Sequence, residues 1–206
     1  MLQMEISRQI EPDREFCLEM DYDAVEPYLR FVYDDPAQAR FVQRFLYDKG
    51  LSEVAPRYVR ILVRDGRPLA MLACCPAVEL RQLRFRAAMA LSKVELLRAD
   101  AGIARRIQLA ARTLIRLEKG DYYVGRLGVV RKLRAAGVGV WMMQSCVDEA
   151  RELGFRRLTG EVHPSATAML RLCCERIGFE QVDLRRVDDP ESHRTLEYVH
   201  IVKDLS

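Results

Sequence analysis

Apolar residues recur along this chain at two different spacings, and the changes between them predict a mixed α/β domain. Runs and alternations of apolar residues predict strands, whereas apolar residues at every third or fourth position predict helices. The predicted order is β-α-α-β-β-(αα)-β-α-β-α-β-β, over residues 4–10, 11–35, 36–49, 58–63, 68–77, 81–119, 122–130, 138–153, 157–162, 164–178, 179–185 and 196–202. The 206 residues fit a single domain, residues 1–206, and are enough to bury a substantial core.

Short polar signals place several element boundaries. Asp35-Pro36 is typical of a helix start, with Asp as the N-cap and Pro at the first helical position. Asp65-Gly66 lies between two apolar runs and predicts a tight β-hairpin turn. Gly154 is expected to end the helix that begins at 138.

The stretch 121–154 has the features of a strand, loop and helix that bind an anion. A strand-like run leads into the basic loop 131–136, and Gly137-Val138-Gly139 then opens an amphipathic helix. The first amides of a helix have no intrahelical partner, and the helix dipole places about half a positive charge there. Glycine lets a phosphate approach the backbone closely. The alternative interpretation is an ordinary βα turn, because short glycine motifs are common.

The full spacing resembles the acyl-CoA motif of the GNAT N-acyltransferase superfamily, L-x-V-x-P-x-x-[RQ]-G-x-G-[IL]-G. The matching residues are Leu127, Val129, Arg134, Gly137 and Gly139. Arg131 stands in the Pro slot and Ala135 in the first Gly slot, and neither change removes a backbone N–H group. A second block ends in Ile177-Gly178-Phe179 and is similar to the family's Y-x-x-x-G-F. The resemblance covers about residues 57–204.

The resemblance implies a GNAT fold, in which helices flank a mixed central sheet with a splayed strand pair. Residues 81–119 would be a helical insertion in that fold. The backbone of Leu127, Gly128 and Val129 would pair with the pantetheine arm, and Thr167 occupies the slot of a pantetheine-contacting Asn. The pyrophosphate would be held by the N–H groups of Arg134, Ala135, Ala136, Gly137, Val138, Gly139 and Val140.

The activity that the resemblance implies is N-acetyl transfer from acetyl-CoA to a primary amine of a small molecule or protein. The amine would attack directly in a ternary complex, and the Val129 N–H would stabilise the oxygen that becomes negative. Glu161 and His163 are the candidates for the base, because period two places both on one side of a strand. A surface pair at a strand end is the alternative.

Cys174 stands where the family usually has the Tyr that protonates the departing thiolate. A thiol is a poor hydrogen-bond donor, so Cys174 is either the acid or a small buried apolar residue. In the second case the thiolate leaves unaided or takes its proton from water.

The segment 81–119 is strongly basic. It contains only three acidic residues and ten basic ones, which are Arg81, Arg84, Arg86, Lys93, Arg98, Arg105, Arg106, Arg112, Arg116 and Lys119. A solvated basic face on two helices is the favoured interpretation. The alternatives are a nucleic-acid patch, a surface for an acidic partner, or a lid over the acyl-CoA. Phe85 is the segment's one aromatic residue, which argues against single-stranded nucleic acid.

Composition narrows the remaining classes of function. A net charge of +3 is too weak to indicate nucleic acid as a partner, and no apolar run or leader indicates a membrane. The six cysteines lack C-x-x-C spacing, so no metal is expected, and two vicinal pairs favour reduced thiols in the cytoplasm. A homodimer is compatible with the sequence.

Two further functions stay open beside the acetyltransferase. A non-catalytic acyl-CoA-binding sensor or scaffold is consistent with the absent Tyr and Asn. A dinucleotide-binding domain is disfavoured, because the third glycine is missing and a six-residue loop separates the strand from Gly137.

Overall fold

Seven strands form one sheet in this computed structural model, which describes residues 5–7, 13–98 and 100–206. The strands are β1 (Glu5–Ser7), β2 (Val59–Arg64), β3 (Arg67–Pro76), β4 (Asp121–Val129), β5 (Arg157–Val162), β6 (Glu180–Asp189) and β7 (Arg194–Asp204). Their order across the sheet is β1-β2-β3-β4-β5-β7-β6. β4 and β5 are parallel, and the other neighbours are antiparallel. The predicted mixed sheet is confirmed, although residues 4 and 8–10 of the predicted first strand lie outside the described residues.

The helices follow the predicted order, except that three helices rather than two lie in and around the segment 81–119. They are α1 (Arg14–Val32), α2 (Pro36–Asp48), α3 (Ala77–Leu91), α4 (Glu95–Arg98), α5 (Ala101–Ala110), α6 (Val138–Glu152) and α7 (Thr167–Arg171). α3 follows β3 directly and so begins four residues before the predicted segment 81–119. A π-helical turn, Leu172–Ile177, continues α7 up to Gly178. The hairpin turn at Asp65-Gly66 has two positive φ angles, 51° and 71°, as its sequence predicts.

Aspartate side chains begin three of these helices. Asp13, Asp35 and Asp100 each accept a hydrogen bond from a backbone N–H of the first turn, in α1, α2 and α5. Each such cap satisfies one of the four N–H groups that a helix leaves without a partner, and contributes about 1 kcal/mol.

The sheet separates two layers of helices. On the α6 face, α6, α7 and the π-helical turn bury Met142, Cys146, Leu158 and Ile177 in one apolar cluster. On the opposite α1 face, α1, α2, α3 and α5 form three further clusters against the strands. In the apolar stripe that the sequence predicts for α6, Trp141 is half-buried and Leu153 is exposed, whereas the other members are buried: Val138, Met142, Cys146 and Ala150.

A β-bulge sets which side chains of β4 reach each face. The β3–β4 register skips Gly125, which is therefore an extra residue in β4. Successive side chains alternate between faces, so one extra residue shifts the phase of all that follow. Arg126 consequently joins Tyr123 on the α1 face, while Leu127 packs on the α6 face.

β4 and β5 separate at this bulge. Their parallel pairing ends at Val124 and Gly160, although β4 continues to Val129. A Cβ at Gly160 would lie 3.2 Å from the Val124 carbonyl oxygen, so glycine allows the strands to approach closely at their last pair. We call the gap between the diverging arms the fork, and it confirms the predicted splayed pair.

Candidate active site

The β4 arm of the fork presents backbone groups that do not pair with β5. The Val130 N–H donates to the Leu69 carbonyl at 2.9 Å across the β3–β4 pair. Hydrogen-bonded and non-hydrogen-bonded residues alternate in an antiparallel pair, so Val129 and Leu127 direct their N–H and C=O groups into the fork. The carbonyl of Val129 accepts a hydrogen bond from Arg134 Nε at 3.1 Å, which agrees with this direction. An extended ligand in the fork can pair with these groups.

Gly128 lies between these two residues and has a different role in the structure. A Cβ there would lie 2.8 Å from the Cβ and Sδ atoms of Met20, so the glycine lets α1 pack directly on β4. Its place in the alternation directs its backbone groups towards β3 rather than into the fork.

α6 begins beside the end of β4 without a side-chain cap. Its N-cap is Gly137, with φ 82°, and no side chain accepts from the first turn, in contrast to the Asp caps of α1, α2 and α5. The first intrahelical bond runs from the Trp141 N–H to the Gly137 carbonyl, which leaves the N–H groups of Val138, Gly139 and Val140 for another acceptor. No atom lies within 4 Å of a Cβ built on Gly137, so this side of the helix start is open.

The loop before α6 is basic and has one non-glycine residue in the left-handed region. Arg131, Lys132 and Arg134 are exposed, and Arg134 Nη2 lies 3.7 Å from Asp23 Oδ2. Ala135 has φ 65°, a conformation that glycine adopts without cost. Free N–H groups, open space and three cations are the features of a site that binds a phosphate group.

The missing side chain of Gly139 allows close packing. A Cβ on Gly139 would lie 2.9 Å from Leu172 Cδ1 in the π-helical turn. The residue is buried, and its missing side chain lets α6 approach this turn closely.

Glu161 lies on the β5 arm of the fork, and its side chain is held from three directions. Its carboxylate accepts hydrogen bonds from the Ile115 N–H at 2.7 Å and from the Tyr123 hydroxyl. Arg84 Nη2 lies 3.7 Å away and completes an ion pair with a carboxylate that is only 6% exposed. The side chain points to the α1 face and ties α3 and the loop at 115 to the sheet.

His163 follows β5 and lies on the same face as Glu161, as the alternation predicts. Its ring meets Tyr198 edge-on with 6.0 Å between centroids. Desolvation lowers the pKa of His163 below its ordinary 6.5, against the opposing effect of the Glu197 and Glu26 carboxylates. The ring is therefore neutral at pH 7. Its Nδ1 lies 2.8 Å from Ser165 Oγ and 3.3 Å from the Ser165 backbone nitrogen, so Ser165 holds this side of the ring.

Cys174 and Thr167 lie on the other side of the fork. Cys174 is half-buried in the π-helical turn, packs against the α6-face cluster and accepts a 3.7 Å contact from Gln181 Nε2. Thr167 is the first residue of α7 and is exposed. The structure thus brings Glu161 and His163 to one face and places Cys174 in the layer on the other.

A chain of buried charges at the fork was not foreseen from the sequence. Arg126 Nε donates to Asp21 at 2.8 Å, and Arg126 Nη1 lies 3.3 Å from Glu53. Glu53 accepts from Arg84 Nε at 2.8 Å, and Arg84 reaches Glu161. The signs alternate along the series, and three carboxylates face two guanidinium groups.

These arginines keep Glu53 ionised. Burial alone would raise the pKa of the Glu53 carboxyl, but Arg84 and Arg126 outweigh it and the net direction is downward. A charged residue inside an apolar strand, such as Arg126 between Val124 and Leu127, is the sequence signal that could have identified this chain of charges.

Two further observations bear on possible ligands. Residues 5–7, 13–98 and 100–206 contain no group of three or more His, Cys, Asp or Glu side chains placed to hold a metal ion. Within the same ranges no helix combines the length and the apolarity that crossing a membrane requires.

Comparison with known proteins agrees with this geometry. Residues 19–179 match the family model described as the acetyltransferase (GNAT) family. Because the match spans most of the 206 residues, the chain belongs to the GNAT acetyltransferase family. The resemblance seen in the sequence is thereby confirmed, and membership indicates acyl transfer to an amine. No curated protein matches the sequence.

Solved structures of acetyltransferases share the fold. An N-acetyltransferase from Staphylococcus aureus Mu50 superposes with a TM-score of 0.67 at 11% identity, covering 97% of this chain and 100% of that one. A ribosomal-protein-alanine N-acetyltransferase from Brucella melitensis gives a TM-score of 0.55 at 16% identity, with 98% and 99% covered. At such identities the likeness establishes the fold alone.

Proposed function

We propose that this protein transfers the acetyl group of acetyl-CoA to a primary amine of a small molecule or protein, by direct attack in a ternary complex. The observation that carries the proposal is the position of the fork, which opens at the end of β4 where the uncapped α6 begins. An extended thioester arm and a pyrophosphate therefore find complementary backbone groups side by side.

The donor is held mainly by backbone groups in this proposal. Leu127 and Val129 offer N–H and C=O groups to the pantetheine arm of acetyl-CoA. Gly128 lets α1 pack on this part of β4. The N–H groups from Arg134 to Val140 surround the pyrophosphate, with Ala135, Ala136 and Gly137 forming the turn. Thr167, exposed at the start of α7, supplies a hydroxyl towards the pantetheine. Acetyl-CoA supplies the activated thioester.

We assign the Val129 N–H as the group that donates a hydrogen bond to the thioester carbonyl oxygen while the amine attacks. It points into the fork, and a donor fixed in that direction stabilises charge as it develops on oxygen. A C–N bond then forms, and the C–S bond breaks to release CoA as its thiolate. The amine must also give up a proton for the amide to form.

Glu161 is the proposed acceptor of that proton, and Arg84, Tyr123 and Ile115 orient it. A carboxylate has about four lone-pair positions, so it can accept more than these contacts provide. His163 is the second candidate, although its Nδ1 already contacts the Ser165 hydroxyl. Cys174 is assigned to packing, with solvent protonating the thiolate.

One observation favours a second function, that of an acyl-CoA-binding sensor or scaffold without turnover. Both oxygens of Glu161 and the Nδ1 of His163 already have partners. In this second function the contacts of Glu161 and His163 are structural, and the fork binds acetyl-CoA without turnover.

Ligand binding and turnover test the two functions separately. Acetyl-CoA at about 100 times its dissociation constant should stabilise the fold by roughly 2.7 kcal/mol in a thermal scan, and NAD should not. Mass spectrometry should then detect acetylation of at least one member of a panel of primary amines and amine-bearing peptides. Binding without product on any acceptor supports the sensor, whereas a shift with NAD alone contradicts both functions.

A further inference from the structure

α3 presents apolar side chains on two opposite sides. Its inner side buries Leu80 and Leu83 against the sheet, where they are 0% and 2% exposed. Its outer side carries Val78, Phe85 and Met89, which are 37%, 68% and 49% exposed. An amphipathic helix on the surface of a domain needs one apolar side, so the outer row is not explained by the fold.

The outer row has helical spacing and lines a groove. Phe85 and Met89 are four residues apart and lie one above the other. Together with Ala90 and Leu51 they border a groove of about 340 Å³. Its largely apolar lining and the i, i+4 spacing of Phe85 and Met89 suit the apolar side chains of a docked helix.

Three cations surround this apolar row. Lys49, Arg86 and Lys93 line the same groove, which has no acidic lining residue among the described part of the chain. Among described residues none of the three forms an ion pair. The groove is therefore apolar along its length and positive at its border.

Other basic residues of the segment 81–119 form ion pairs with acidic residues elsewhere in the fold. Arg84 pairs with Glu53, Arg105 with Asp189, and Arg106 with Asp34. A solvated basic face therefore does not describe the whole segment, and positive charge without a partner remains at the groove.

We propose that the outer face of α3 docks an amphipathic helical segment of a partner protein that carries acidic residues beside its apolar face. Apolar anchors of the segment would fill the groove at Phe85 and Met89, and carboxylates would meet Lys49, Arg86 and Lys93. Charge complementarity of this kind speeds association and excludes basic partners. The proposal does not depend on catalysis in the fork.

The same charges disfavour other occupants. In a symmetric dimer a second copy would set the same cations against one another. Nucleic acid would use the cations and leave Phe85 and Met89 exposed. Binding of either of these occupants would nevertheless give a distinct result in the experiment below.

Binding of synthetic helical peptides to the full chain tests the proposal. The first peptide has a leucine face flanked by glutamates, the second replaces every glutamate by lysine, and the third scrambles the leucine order. Fluorescence anisotropy should detect binding of the first peptide only, and the affinity should fall as salt rises. Phe85→Ser with Met89→Ser should weaken binding at least about tenfold, which corresponds to one good apolar anchor.

Leu184→Ser is the matched control. Leu184 is 59% exposed on β6 and does not line the groove. This variant should bind the acidic peptide as the unchanged protein does, and all variants should keep their acetyl-CoA response, which shows that they are folded.

Four results would overturn the proposal. They are equal binding of the lysine peptide, unchanged binding after Phe85→Ser with Met89→Ser, a dimer that these substitutions dissociate, and tighter binding of an oligonucleotide or of phosphatidylglycerol vesicles than of the acidic peptide.

Discussion

At the scale of single residues, two backbone conformations shape the proposed phosphate loop. Ala135 and Gly137 both have positive φ, at 65° and 82°, so the chain turns twice before α6 begins. Glycine adopts this region without strain, whereas alanine does so at a cost of about 1–2 kcal/mol. The two positions therefore predict opposite results on substitution.

Gly137→Val should weaken acetyl-CoA binding at least about tenfold, because a branched side chain would fill the open space at the helix start and disfavour positive φ. The far-ultraviolet spectrum should stay native. Isothermal titration of the folded variant measures the affinity.

Gly154→Val is the matched control for that substitution. Gly154 has φ 75° and open space around it, but it lies at the other end of α6. The two variants should lose similar stability, and only Gly137→Val should lose affinity. Equal affinities in both would reject the phosphate-loop assignment.

Ala135→Gly should raise the free energy of unfolding by up to about 1 kcal/mol, since relief of left-handed strain outweighs the extra freedom of glycine in the unfolded chain. Acetyl-CoA affinity should be retained, because the N–H group is kept. Urea unfolding measures the change. Ala136→Gly is the control, and a gain there equal to that at 135 would contradict the assignment to backbone strain.

Glu161→Gln should lower kcat/KM by about 10²-fold or more near neutral pH and by much less at high pH, where the acceptor amine has already lost its proton. Glutamine keeps the shape and still accepts from the Ile115 N–H. A pH–rate profile measures the effect, and urea unfolding separates it from a loss of stability. A profile that overlays the wild type would transfer the role to His163 or to water.

At the scale of elements, the spacing of apolar residues predicted most of the fold, but it did not predict which face of the sheet the later side chains of β4 occupy. The strand–helix–strand order of β4, α6 and β5 follows from apolar spacing, and the glycine before 138 explains why α6 starts without a side-chain cap. The bulge at Gly125 could not be predicted in this way. One inserted residue leaves the local composition unchanged, although it moves every later side chain of β4 to the opposite face of the sheet. Arg126 therefore reaches Asp21 and Glu53 from a position that simple alternation assigns to the α6 face.

The sequence predicted where the backbone of the candidate site lies. Gly137 directly precedes α6 and Val129 ends β4, whereas their contacts with a ligand stay predictions. The partners of Glu161 were not predictable, because Arg84 and Ile115 come from a segment whose packing only the folded chain defines. Gly128 and Gly139 proved to be sites of close packing against Met20 and Leu172, which sequence spacing does not distinguish from ligand contacts.

The π-helical turn allows packing and catalysis to be separated at Cys174. Such turns are often found at functional sites, so the position alone does not decide the role. Cys174→Ala should cost about 1 kcal/mol of stability and leave kcat nearly unchanged. Cys173→Ala is the control, since Cys173 is 1% exposed and should cost more stability with as little effect on kcat. A fall in kcat of about 10²-fold at Cys174 alone would instead identify it as the general acid.

At the scale of the whole molecule, buried charges tie the elements together at the fork. Asp21, Glu53, Arg84, Arg126 and Glu161 come from α1, the loop after α2, α3, β4 and β5. A second series joins Arg60 in β2 to Tyr122 in β4 and Glu149 in α6. Removing one member of a buried pair costs more than the pair contributes, because the remaining charge loses its partner. The stability of the fold should therefore depend on pH through these groups.

The free energy of unfolding should fall as pH drops below about 4.5, and Glu53 should be a main cause. The folded-state pKa of Glu53 is lower than its ordinary 4.5, so the unfolded chain takes up the proton first. Its contribution is fully present above pH 4.5 and is lost as pH falls through the folded pKa. Urea unfolding between pH 7 and pH 3 measures the slope.

Glu53→Gln should remove about 3–5 kcal/mol at pH 7, because Arg84 and Arg126 lose a buried partner. It should also flatten the acid limb of the curve, since one titrating group is gone. Asp188→Asn is the control: the pKa of Asp188 is also lowered, first by Thr195 and then by Arg186, but its side chain is 62% exposed and solvent screens the interaction. The control should follow the wild-type curve closely. An acid limb for Glu53→Gln that runs parallel to the wild type would show that the acid sensitivity of this fold arises elsewhere.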